Sequence, residues 1–305
     1  MARRRHRLVP AVAGLAALLV AAACSSSAEP AERSATNVLA EVDQSAAVEQ
    51  GPVGENLPLT PTVQRIRERG SLVAAGVLSS PVFALQDPAT GRISGFDAGI
   101  AQLLAKYILG EPNVETKTSG AETRESLLQN GSVDVVVSTY SITEARDRLI
   151  DFSTPYYIAQ SGIVVRSDET RIEDAGDLAG MKVATQPGAA EEALRRGIPE
   201  AEPILFETSS ECLEALRQGR VDAWSQNNAS LLSKIVQETD VMLLPATYGT
   251  VEFGIGMSED DPEFKEIVDE FVRTIVADGT WQRLWDDTVG VVQDEPPVLP
   301  TPGSP

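Results

Sequence analysis

Short apolar runs alternating with helical stretches, and one helix–glycine–strand unit that occurs twice, predict an α/β fold with largely parallel sheets, built as two lobes of like construction. The runs "SLVAAGVL", "VDVVVSTY", "SGIVVR", "KVATQ" and "VDAWSQ" read as strands. Between them "AGIAQLLAKYIL", "ETRESLLQNG" and "SECLEALRQGR" read as helices. The repeated unit is "RESLLQNGSVDVVVS" (Arg124 to Ser138) and "CLEALRQGRVDAWSQ" (Cys212 to Gln226), each a helix, a glycine that ends it, and Val-Asp at the start of a strand. In such sheets a ligand sits beyond the carboxyl ends of the strands.

The ends of the chain read differently. "MARRRHRLVPAVAGLAALLVAAAC" has a basic head, a short apolar run and small residues up to Cys24, the plan of a secretory signal over 1–23. Ala21-Ala22-Ala23-Cys24 resembles a lipoprotein box, with Ala21 where that motif prefers Leu, so Cys24 is the expected lipidation site. Residues 24–60, rich in Ser, Ala, Glu, Pro and Gly, read as a flexible tether, and the Pro-rich 291–305 as a disordered tail.

Composition excludes several functions. Removing the signal strips Arg3, Arg4, Arg5 and Arg7 and takes the formal charge from −20 to −24, which argues against nucleic acid as a partner. The only histidine, His6, leaves with the signal, so no Ser-His-Asp, Cys-His or His-ligated metal site is available. Cys212 has no partner once Cys24 is acylated. "SEDDPEFKE" lacks the EF-hand pattern and reads as a loop entering a solvated helix. Carboxylate-only catalysis and an oxygen-ligand calcium site stay open by composition, while the expectation is no metal, no cofactor and no catalysis.

"STYSITEARDRLIDFSTPYY" raises a question of its own, because Thr143 reads as a helix N-cap and Arg146 stands three residues on, where a capping box would place Glu or Gln. A guanidinium there, after a run of small hydroxyl residues, presents paired donors suited to a carboxylate. An anion it holds would also face a helix N-terminus. Arg148 reads as an ordinary surface residue.

This stretch, with "SGFDAGIAQLLAKYI", "LLQNGSVDVVVSTY", "DLAGMKVATQPGAAEEAL", "ECLEALRQGRVDA" and "DGTWQRLWDDTVG", resembles in order and spacing the polar amino-acid solute-binding proteins of bacterial ABC importers, family 3, over about residues 65–290. The nearest likeness is to the glutamate, glutamine and aspartate binders, including lipid-anchored ones. The resemblance implies a periplasmic-binding-protein-like fold of type II, with two lobes (65–156 plus 253–288, and 161–248), two crossover strands as hinge, and a ligand enclosed between the lobes.

The same resemblance implies that Arg146 grips the α-carboxylate and that Thr139 and Ser141 meet the ligand by backbone and hydroxyl. Arg124 stands where aspartate and glutamate binders carry an Arg for the side-chain carboxylate; the other reading is a solvated residue beside Glu122 and Glu125. In the second lobe, Gln186 and the N–H groups near Ala189 and Ala190 are candidate contacts, or the loop is shaped only by Pro187 and Gly188. Asn227 replaces the family's usual ammonium-binding Asp, with Glu252 a candidate substitute. Gly99 stands where a second Asp is common, and Asp97 reads as an N-cap. Phe83 and Tyr157 read as cleft walls or core, and Trp281 and Trp285 as packing. The implied function is an extracytoplasmic, lipid-anchored monomer that delivers an acidic amino acid to an ABC permease. A sensor feeding a membrane signalling protein and a dehydratase on the same scaffold are the alternatives.

Overall fold

The computed structural model describes residues 41–293 together with Pro296 and Pro297. The expected signal, Cys24 and the end of the expected tail lie outside the described residues. No helix among the described residues is long and apolar enough to cross a membrane.

Two open sheets form the body. The first has the strand order Val114–Thr118, Leu72–Gly76, Val135–Val136, Gly256–Met257, Asp151–Phe152. Its first three strands are parallel, and Gly256–Met257 runs against both neighbours. The second runs Glu202–Leu205, Lys182–Thr185, Ala223–Asn227, Tyr157–Arg166, Val241–Leu243. Again the first three are parallel, while Tyr157–Arg166 is antiparallel to Ala223–Asn227, to Val241–Leu243 and to Tyr248–Phe253. The sheets are therefore mixed rather than largely parallel. The strands that carry the chain to the second lobe and back pair with each other in opposite directions, Tyr157 with Phe253 through Ser161 with Tyr248.

Side-chain alternation along each strand covers both faces of both sheets. In the first, Leu72, Ala74 and Val135 pack with Phe96, Phe271 and Trp281, and Val73, Ala75 and Val136 with Tyr140 and Phe152 on the opposite side. In the second, Val164 joins Ala184, Leu216 and Trp224, and Ile163 and Val165 join Leu178, Val183 and Leu194. Tyr157 and Ala159 belong to the first core, so one strand passes from core to core within a few residues. The helix Pro262–Ala277, expected to be solvated, buries Phe264, Ile267, Phe271 and Ile275 on one face, and its N-cap Asp261 also accepts the Thr62 N–H at 2.9 Å.

The repeated unit folds alike in both places. Gly131 (φ +68°) and Gly219 (φ +66°) end their helices, and the following Asp134 and Asp222 each bond a neighbouring parallel strand twice. Asp134 donates its N–H to Val73 O and accepts the Val73 N–H, both at 2.8 Å. Asp222 does the same with Lys182, at 2.8 and 3.0 Å.

Three further expectations need correction. Residues 41–60 are packed on the first lobe and are no tether: Val42, Ala47 and Val48 are buried in its core. Gln44 donates to Ile93 O and Gln102 Oε1 and accepts the Gly95 N–H. Gly99 is explained chiefly by Leu284 and secondarily by this segment, because a Cβ there would lie 2.3 Å from Leu284 Cδ1 and 3.2 Å from Gln44 Cβ. The tail does not start at 291, since Val291 and Val292 still pack on the core. Asp97 is no N-cap: Gly95 holds that position, and Asp97 lies inside the helix Phe96–Leu109. Trp281 and Trp285 are core, as expected, and Cys212 is a free buried thiol whose pKa is pushed up to about 12 by burial.

Candidate functional site

The parallel strands of both sheets end at one cavity of about 470 Å³. Leu72–Gly76 leads into Val77–Pro81, Val114–Thr118 into Gly120–Arg124, and Val135–Val136 into Ser138–Ser141. From the second lobe three helices begin at its wall: Ala189–Gly197, Ser209–Arg217 and Asn228–Ile235. Unpaired N–H groups at such helix starts present partial positive charge. The candidates Thr139, Ser141, Arg124, Arg146, Gln186, Ala190 and Asn227 all line this space.

Arg146 is fixed from below. Thr143 caps its short turn by accepting the Arg146 N–H, Nη1 donates to Ser141 O at 2.8 Å, and Nε lies 3.3 Å from Glu125 Oε1. The turn Glu144–Asp147 is too short to act as a helix dipole, so the positive charge here is the guanidinium itself. Arg148 is 70% exposed and pairs with Glu144. Arg124 is buried and lines the cavity, with no hydrogen bond or ion pair to any described residue, and its Nε is fully enclosed without an acceptor. Its Cζ lies 5.1 Å from the Tyr140 ring centre and that of Arg146 lies 4.9 Å from the same centre. Burial, then Arg146, pulls the Arg124 guanidinium below its ordinary pKa. Such a group remains charged, so a cation with no direct hydrogen-bonded partner sits in the wall. Burial and the hydrogen bond that Tyr140 donates to Glu125 push the Tyr140 phenol up.

The loop that carries Thr139 and Ser141 is stitched to the returning crossover strand. Ser141 bridges Phe253, Ile142 N–H donates to Glu252 O at 2.8 Å, and Gly254 N–H donates to Tyr140 O at 3.1 Å. Thr139 has φ +42°, a left-handed conformation uncommon outside glycine. Its N–H donates to Asp97 Oδ2 at 2.7 Å.

In the second lobe, Gln186 accepts from Gln226 Nε2 at 2.7 Å and Ser209 Oγ at 3.1 Å and donates to Glu207 O at 2.8 Å, which locks the loop before Ala189 and leaves one side-chain N–H free of these bonds. Asn227 Oδ1 accepts the Ser230 N–H at 2.8 Å and so caps its helix. Glu252 is exposed and does not line the cavity; Phe83 and Tyr157 stand behind it in an aromatic cluster with centres 5.8 Å apart. The carboxylates that do line it are Asp97, Glu122 and Glu207.

Lys234, a third cation in the wall, went unread in the sequence, although its spacing from Ser230 and Asn227 puts all three on one helix face. The lobes also touch at the rim. Ser233 donates to Pro81 O and lies 2.9 Å from Ser80 Oγ, beside Val82, a β-branched residue at φ +61°.

Comparison with known proteins agrees with this geometry. Residues 72–290 match the model of the bacterial extracellular solute-binding proteins, family 3. The glutamine-binding protein of Geobacillus stearothermophilus is 34% identical over 67% of this chain and 79% of its own length. The glutamate-binding protein GluB of Corynebacterium glutamicum is 30% identical over 73% and 80%. The ancestral amino acid-binding protein AncCDT-1, a precursor of cyclohexadienyl dehydratase, superimposes with a TM-score of 0.64 at 29% identity over 74% of this chain and 99% of its own. The fold is thus the two-lobed periplasmic-binding-protein-like one, and the chain belongs to the bacterial extracellular solute-binding proteins, family 3.

Proposed function

We propose that this protein is a lipoprotein, anchored through Cys24, that captures an acidic amino acid between lobes 65–156 plus 253–288 and 161–248 and delivers it to an ABC permease. Glutamate or aspartate is favoured over glutamine or asparagine. The observation that carries the reading is the pair of guanidiniums over Tyr140, one of them buried with no hydrogen bond or ion pair to any described residue. In a dry cleft two such groups ask for two carboxylates: Arg146 takes the α-carboxylate and Arg124 the side-chain one. Thr139, Ser141, Gln186, Ala190 and Asn227 complete the enclosure. Asn227 supplies no charge for the ammonium group; of the lining carboxylates Asp97 is engaged by Thr139 and Tyr156, which leaves Glu122 and Glu207. The chemistry is recognition, and the ligand leaves unchanged.

Titration calorimetry with the four amino acids tests this. Arg146→Ala should abolish binding, and Arg124→Ala should reduce any preference for glutamate over glutamine by about tenfold or more, the loss expected of one charge-assisted pair. An unaltered preference would remove the second carboxylate from the scheme. The likeness to AncCDT-1 motivates an enzymatic alternative; mass spectrometry showing a chemically altered ligand after incubation would favour it.

A further inference from the structure

We propose that Asp97 is a positioning residue that holds the Thr139 backbone in its left-handed form through a charged carboxylate, so that ligand capture weakens on acidification. The proposal rests on the reading of the cavity as an amino-acid site.

Asp97 is 2% exposed, yet it reaches the cavity wall from inside the helix Phe96–Leu109. Both oxygens are engaged: Oδ2 accepts the Thr139 N–H at 2.7 Å and Oδ1 accepts the Tyr156 O–H at 2.8 Å. Tyr156 is itself fixed by main-chain bonds, receiving Trp281 Nε1 at 2.7 Å and donating its N–H to Phe253 O at 2.9 Å. One carboxylate therefore ties the ligand loop to the start of the crossover.

The charged form suits this geometry, because an ionised carboxylate only accepts hydrogen bonds. A proton on Oδ2 would oppose the Thr139 N–H directly, and a proton on Oδ1, which the Tyr156 hydroxyl can turn to accept, still replaces the charge-assisted bond to Thr139 by a weaker neutral one. Thr139 is the vulnerable partner, since a non-glycine residue stays left-handed only while its surroundings hold it there. The titratable and charged groups that act on Asp97 are Tyr156, Tyr157 and Arg124. Both phenols are pushed above their ordinary range by burial and stay neutral, and Arg124 stays cationic. Of these groups, Asp97 alone changes charge near neutrality: burial raises its carboxyl to about 6 against the pull of its hydrogen bonds and Arg124.

The test has a ligand-free arm and a binding arm, both on the full-length chain. In the 15N-labelled protein the Thr139 amide should shift between pH 7.5 and 5 with a midpoint near 6, and should stay still in Asp97→Asn. Glutamine, which has no group titrating in that range, should bind the wild type about tenfold more weakly at pH 5 than at pH 7.5, the change one pH unit below a linked group's midpoint can produce. Asp97→Asn should bind at the weak level throughout. Tyr156→Phe, which removes a donor to the carboxylate, should move the midpoint upward. A stationary Thr139 amide, or an Asp97→Asn variant with wild-type affinity at pH 7.5, would overturn the proposal. Should glutamine and glutamate both fail to bind the wild type at every pH, the functional reading falls, and the amide titration still decides the role of Asp97.

Discussion

Burial raises the Asp97 carboxyl from an ordinary 3.8 to about 6, so the folded chain takes up this proton more readily than the unfolded one. For an acid whose pKa is raised by folding, stability is lowest above the folded value and recovers as pH falls through it. The shift corresponds to roughly 3 kcal/mol held against the fold at neutral pH. Asp97→Asn should therefore be more stable than the wild type by up to about that amount at pH 7.5, and nearly equal to it at pH 4, in chemical denaturation followed by circular dichroism. A variant that is more stable and yet weaker in capture would mark a charge retained for function at the expense of the fold. Arg146 was legible in the sequence because its spacing from Thr143 and the hydroxyl run is local. Asp97 was not, because its partners Thr139 and Tyr156 are far away in the chain and only the folded helix brings them to one carboxylate.

Among the elements, the segment Ser45–Gln50 shows where composition misleads. A stretch rich in Ala, Ser and Glu with scattered Val reads as a tether, since no apolar period marks it, yet Val42, Ala47 and Val48 are buried and Gln44 is 3% exposed. Gln44 satisfies the Gly95 N–H at the start of the helix Phe96–Leu109, a donor with no other acceptor among the described residues. Gln44→Ala should cost about 1–3 kcal/mol, the usual penalty for an unmatched buried donor. Calorimetry should show a midpoint lowered by about 2–4 °C per kcal/mol. The strands and main helices were legible from periodicity, because a face against a core imposes its period on the sequence. The antiparallel part of each sheet was not: strands as short as Asp151–Phe152 and Gly256–Met257 carry no period of their own, and their direction follows from how the chain returns between lobes.

For the molecule as a whole, contact between the lobes at the rim includes the bonds of Ser233 with Ser80 and Pro81. On the proposed mechanism these bonds exist only while the cleft is closed. Ser233→Ala removes about 1 kcal/mol of closed-state stabilisation, which is about a fivefold weaker affinity. Stopped-flow measurement should place the loss in the dissociation rate, with association little changed.

The first core is completed by the last part of the chain. Phe96 and Tyr157 meet Trp281 at ring separations of 5.5 and 6.4 Å, and Trp281 reaches back to the Tyr156 carbonyl. A growing polypeptide can assemble everything from Ile163 to Leu244 while this aromatic surface still waits for its cover. Synthesis must pass Trp281 before the earlier lobe can shut out water, and a product cut short after Phe253 would carry a well-made second half on a sticky, unfinished first one.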